Sequence, residues 1–200
     1  DPSLFLAPIV AEYGWARDDW RRLGQGTMVG HLMECGMQIT GGYFADPGRK
    51  DVPRPADCGY PIAEIDADGT AVITKLRDAG GMVSLATVKE QLLYEVHDPR
   101  RYLTPDVTAD FSTATLSETE KDRIRVAEAG GTARPEQLKV TVGFDGGLLA
   151  EAAVSYAGIN AAARARLARD ILAERFDRMP GIAGGYRIDL IGLSSLHATA

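Results

Sequence analysis

Apolar residues recur along the chain with two periods, and the changes of period mark the expected elements. Near the start, Leu4, Phe5, Ile9 and Val10 share one helical face behind Asp1-Pro2, a capping residue followed by a first-turn proline. Pro8 sits inside this helix, where it removes a hydrogen bond and clashes one turn back, so a kink or a restart is expected there. Gly14 ends the element. A short amphipathic helix follows over 15–23, with Asp18 and Asp19 near its positive end. Gly24-Gln25-Gly26 is expected to separate it from a third helix over 25–39. On that helix His31, Glu34, Cys35 and Gln38 stand three, four and seven residues apart and share a polar face, which water or a ligand must meet. Gly41-Gly42 is expected to stop the helix, and Asp46-Pro47-Gly48 turns the chain again.

Further on, the period shortens to two. Residues 49–60 carry Pro53 and Pro55 without periodicity and read as an ordered loop. Residues 61–66 and 70–76 flank Ala67-Asp68-Gly69, whose Asp-Gly is a hairpin signal. Thr87-Val88-Lys89-Glu90 reads as a capping box opening a helix that buries Val88, Leu92, Leu93 and Val96. His97-Asp98-Pro99 ends it, because a residue before proline avoids the helical region. Residues 102–111 are expected to be extended, and 113–118 pairs with 124–129 around a charged turn. Residues 139–144 alternate at period two and reverse at Asp145-Gly146-Gly147 into 148–156, a second hairpin. Asn160 caps a helix whose stripe is Ala161, Ala165, Ala168, Leu172 and Phe176. Its arginines alternate with acids off that stripe, which reads as a solvated ion-paired face rather than a nucleic-acid surface. Pro180-Gly181 stops it, and 186–193 reads as a buried strand. The order gives an α+β fold, or a mixed-sheet α/β layer, with β-hairpins and amphipathic helices packed on the sheet.

Composition narrows the class. With 200 residues, 45% hydrophobic and 25% charged, residues 1–200 are expected to form a single domain. A net charge of −6 argues against a nucleic-acid partner, since phosphate contacts need a basic face. A local basic patch would still suffice for CoA or a nucleotide. No apolar run reaches the roughly 18 residues of a membrane span. Cys35 and Cys58 are the only cysteines and show no zinc or CxxC spacing, which points to a reducing, cytoplasmic compartment. The apolar opening residues suggest that the chain is cut from something larger.

Candidate chemistry centres on turn-bounded polar residues. His31, His97 and His197 each suit acid/base work or a structural role; His97 sits where an imidazolium would stabilise a helix end, or where a carboxylate would orient a base. His31-x-x-Glu34 reverses the order of the carboxylate-bundle metal motif, and no metal is expected from one copy. Cys35 is either a nucleophile activated by His31 one turn back or an inert buried thiol. The glycine pairs lack phosphate-loop spacing and read as turns. The loop from Asp46 to Asp51 sets Arg49 and Lys50 beside two carboxylates, as a surface turn or as one wall of a site.

Five blocks together carry a resemblance. Residues 30–35 (GHLMEC), 41–51 (GGYFADPGRKD), 86–99 (ATVKEQLLYEVHDP), 102–107 (YLTPDV) and 189–197 (DLIGLSSLH) resemble, in order, the acyclic terpene utilisation family, AtuA. The resemblance implies that these residues are the C-terminal part of a larger AtuA-like domain, preceded by a glycine-rich α/β half. It further implies bacterial degradation of acyclic terpenoids such as citronellol and geraniol through acyl-CoA thioesters. No catalytic residue or cofactor comes with it. An acyl-CoA is therefore the expected ligand, with His31, Glu34, Asp46, Lys50, Glu90 and His97 lining its site, His31 or His97 as acid/base and Lys50 as the anion or thioester-oxygen partner. A second copy of the chain or the N-terminal half of the same protein is the expected macromolecular partner. The competing readings are an accessory or assembly subunit for CoA enzymes and a metal-dependent lyase or hydrolase. If there is one site, the His31 face, the 46–50 loop and the 90–97 helix must approach one another.

Overall fold

The structure, a computed structural model, describes residues 1–179, 181 and 185–193. Its elements are α1 (Ser3–Tyr13), α2 (Trp20–Glu34), β1 (Pro61–Ile65), β2 (Ala71–Lys75), α3 (Leu85–Leu93), β3 (Tyr102–Leu103), β4 (Thr108–Asp110), β5 (Thr115–Glu120), β6 (Arg123–Ala127), β7 (Gly130–Thr132) and α4 (Ala161–Asp177). This is a mixed α+β fold with two antiparallel sheets, ordered β1-β2-β6-β5 and β3-β4-β7. The chain divides into two compact units, residues 1–141 and 142–200. Among the described residues, no helix is long and apolar enough to cross a membrane.

In the first unit α2 is the central element. Leu23 through Leu32 are all buried, ten residues in succession, so the helix is covered all round. It runs straight through Gly24-Gln25-Gly26, where the sequence suggested a break. The glycines explain this, because each one lets a neighbour approach the helix backbone. A Cβ on Gly24 would lie 1.9 Å from the Gly130 carbonyl oxygen, and one on Gly30 would lie 2.4 Å from that of Pro2. Close packing against α1 and β7 offsets the helix-propensity cost of glycine. Aspartate caps the start, with Asp19 Oδ1 accepting from the Arg22 amide.

The first hairpin forms as expected, Pro61 facing Lys75 and Ile65 facing Ala71 across a turn at Asp66–Thr70. The β5–β6 pair also forms, with an irregularity between Glu118 and Glu120. α1 continues through Pro8 and stops at Gly14, whose φ of 60° is left-handed. The capping box of α3 lies one turn earlier than expected: Ser84 accepts from the Thr87 amide while Thr87 Oγ1 accepts from the Ser84 amide. The helix ends at Leu93 rather than at His97, and Glu95 turns the chain at a φ of 56°.

In the second unit α4 forms behind Asn160, but no strand forms over 142–156, and none over 185–193 among the described residues. The expected hairpin over 139–156 and the strand over 186–193 are therefore corrected. Residues 136–160 are all exposed, Phe144 at 88% and Leu149 at 97%. An alternating pattern makes a strand only when something covers its apolar face, and a lone two-stranded hairpin is marginal in water. Pro180 and the 194–197 part of the last block, His197 included, lie outside the described residues.

The glycine seam gives a test in which two effects oppose. Gly24→Ala should gain about 1 kcal/mol in helix propensity and lose about 1–3 kcal/mol or more to overpacking against backbone. Chemical denaturation is expected to show net destabilisation. A rise in stability would mean that α2 and β7 do not touch at Gly24.

Candidate functional site

The site grows from the C-terminal end of α2, where the buried helix emerges. His31 is 2% exposed and packs in a three-ring cluster, its centroid 5.2 Å from Tyr102 and 5.7 Å from Phe111, which lie 5.0 Å from each other. Its Nδ1 is 2.9 Å from Glu34 Oε1, and since a carboxylate only accepts, Nδ1 carries the proton. Nε2 is buried and has no hydrogen-bond partner among the described residues. Glu34 is different. Its side chain keeps 18% exposure and lines an open cleft of about 480 Å³ together with Cys35, Met37, Gln38, Tyr43 and Tyr60. The polar face expected on this helix thus splits into a buried histidine and a carboxylate at the surface.

A tight turn shapes the cleft floor. Cys35 closes α2, and Gly36 follows at a φ of 54° with the Tyr60 ring against its backbone; a Cβ there would lie 2.6 Å from that ring. The next turn runs on to Thr40, whose hydroxyl donates to the Gly59 carbonyl at 2.6 Å and ties the loop to the 58–60 segment. Tyr43 meets Tyr94 edge-on at 5.8 Å, which brings the end of α3 to the cleft rim. The charge of Glu95, foremost, holds the Tyr94 hydroxyl above its ordinary value.

The 46–50 loop and α3 also meet. Lys50 Nζ lies 3.5 Å from Glu90 and 4.6 Å from the Phe44 ring centroid, an exposed ion pair with a cation–π contact. Asp46 and Lys50 pair through their backbones to close the turn around Gly48. From α3, Gln91 donates to the His31 carbonyl at 2.9 Å. Glu34 and His31 therefore form one pair and Lys50 and Glu90 another, linked through α3. Asp46 is exposed and works through its backbone. His97 is an exposed residue in a bend after α3, with no hydrogen bond or ion pair among the described residues. Sequence reasoning passed over Tyr43, Tyr60 and Tyr94. Only the glycines beside Tyr43 and at Gly36, which allow rings to approach backbone, hinted at them. Among the described residues, no three His, Cys, Asp or Glu side chains gather as a metal cluster.

Burial pushes the Tyr102 hydroxyl up to about 12, with the charges of Glu34, Cys35 and Glu95 adding to it. The unfolded phenol ionises near 10. The stability gained by keeping it neutral is therefore complete below pH 10 and lost as the pH rises towards 12. Melting at about pH 9 and about pH 11.5 should show a smaller alkaline loss for Tyr102→Phe than for the parent chain. Equal losses would mean that the ring is solvated.

No curated protein and no solved structure matches the chain. A family model described as "Acyclic terpene utilisation family protein AtuA" matches residues 1–200, and it covers every block that builds the cleft. The chain belongs to the acyclic terpene utilisation family AtuA.

Proposed function

We propose that the chain binds and acts on acyl-CoA thioesters in the catabolism of acyclic terpenoids and related branched acids, in the cleft beside Glu34. The observation that supports this is the meeting of Glu34, Cys35, Tyr43 and Tyr60 around one open cleft, with a buried histidine bonded behind the carboxylate. Family membership supplies the terpene context. In this reading the acid/base role passes from His31 to Glu34, because of the two only Glu34 lines the cleft. The Nδ1–H of His31 holds Oε1 of the carboxylate, and Oε2, 3.2 Å from the Asp1 amine, is the oxygen that faces a substrate proton. Tyr43 and Tyr60 supply the apolar walls that a prenyl or methyl-branched chain needs. Lys50, held by Glu90 over Phe44, is the cation for a CoA phosphate or thioester oxygen. The reading places the protein in the cytoplasm.

A second reading, an accessory subunit for the CoA enzymes of the same pathway, is favoured by the apolar residues exposed over 139–156. Incubating the complete protein with a panel of prenyl and methyl-branched acyl-CoAs separates the two. Turnover is expected, with Glu34→Gln lowering it by about 10²-fold or more, the usual worth of a positioned acid/base group. His97→Ala should keep it. No turnover with any thioester, together with stable association with the other CoA enzymes, would replace the first reading by the second.

A further inference from the structure

We infer that the groove between α1 and α2 is a binding site for a small anionic amphiphile, with an aliphatic body along α1 and a negative head at one of its rim guanidinium groups, Arg17 or Arg134. The groove encloses about 690 Å³, within the size range of small-molecule sites. Its floor is apolar, formed by Leu6, Ala7, Val10, Ala11, Trp20 and Leu23. Helix α1 borders it from Ser3 to Ala11, about 12 Å of helix at 1.5 Å per residue, the reach of a chain of about ten carbons. This length is open because Ala7 and Ala11 present only methyl groups, and both are exposed.

The rim supplies the sign of the ligand. Arg17, in the α1–α2 connection, and Arg134, after β7, are exposed and make no hydrogen bond or ion pair among the described residues. The single rim carboxylate, Asp106, already accepts from Ser3 Oγ at 2.7 Å. Two uncommitted guanidinium groups beside an apolar floor, on a chain of net charge −6, single this groove out for an anion with an aliphatic tail. Carboxylate and phosphate heads share that chemistry. The assignment does not depend on the reaction proposed at Glu34.

Calorimetry and tryptophan fluorescence of the complete protein, with decanoate, decanoyl-CoA and decanol as probes, test it. Both anions should bind and perturb Trp20, and decanol should bind about tenfold more weakly or less, because it lacks the charge-assisted bonds. A Trp20 response saturating at lower decanoyl-CoA assigns the head to phosphates; one saturating at lower decanoate assigns it to a free acid. The Arg17→Gln/Arg134→Gln pair, both on the surface, should weaken the anions by about tenfold and leave decanol unchanged. Ala11→Phe should abolish the Trp20 response to all three, while calorimetry keeps the decanoyl-CoA that the Glu34 cleft takes up. Glu34→Gln should leave groove binding intact, which separates failure here from failure of the proposed reaction. Decanol binding as tightly as decanoate, affinity indifferent to the arginine pair, or no binding by any probe overturns the assignment.

Discussion

One constraint governs the first unit: α2 is buried from Leu23 to Leu32, yet this stretch carries Gln25, Thr27 and His31. A helix covered on all sides satisfies its own backbone, but each polar side chain then needs a partner or costs about 1–3 kcal/mol. Gln25 is fully answered. Its amide donates to the Gly69 carbonyl at 3.0 Å and its carbonyl accepts from the Ala129 amide at 2.9 Å, so one side chain fixes the first hairpin turn and the β6–β7 corner. Trp15 adds a second tether, donating to the Ala67 carbonyl at 2.9 Å. The core and the hairpin positions thus depend on the same buried helix. The seam glycines make its burial sterically feasible.

The same constraint produces the cleft. A helix buried for ten residues must surface somewhere, and α2 does so between His31 and Glu34. That places a carboxylate at the boundary with an imidazole immediately behind it. The pair matters because Glu34 retains solvent and ligand access while its geometry is set from inside. The Tyr102 and Phe111 rings hold the imidazole plane, and Gln91 fixes the backbone at His31. The precision of the surface group is therefore supplied by the core.

Much of this was legible from residues. Asp68-Gly69 announced the first hairpin, and Gly14 announced the end of α1, because each supplies a backbone conformation with few substitutes. The meeting of the 46–50 loop with α3 was only a condition for a single site in the sequence; the Lys50–Glu90 pair is what shows it. The glycines of α2 were illegible. Glycine signals either a break or a close approach, and only the neighbour decides; Gly130 and Pro2 are far along the chain. His31 misled for a related reason. Its spacing with Glu34 is that of a polar helix face, but a single sequence does not say that Tyr102 and Phe111 come to cover half of it.

The two alternating segments show where pattern stops being sufficient. Residues 61–75 and 139–156 both carry period-two alternation around a glycine turn. In the first, Ile73 and Ala71 are buried and β2 is paired with β6 on its other side. In the second, Val140, Val142, Phe144 and Leu148 all remain exposed. Alternation therefore defines which residues would share a face, not what covers it. The covered case depends on α2 and the connection before it, because Gln25 and Trp15 grip the turn of the first hairpin and hold its apolar face to the core. Among the described residues, 145–147 have no such tether: the side-chain bond there is local, from the Gly147 amide to Asp145. Where a distant buried side chain reaches the turn, the pattern becomes a sheet; where none does, the same pattern stays unpaired.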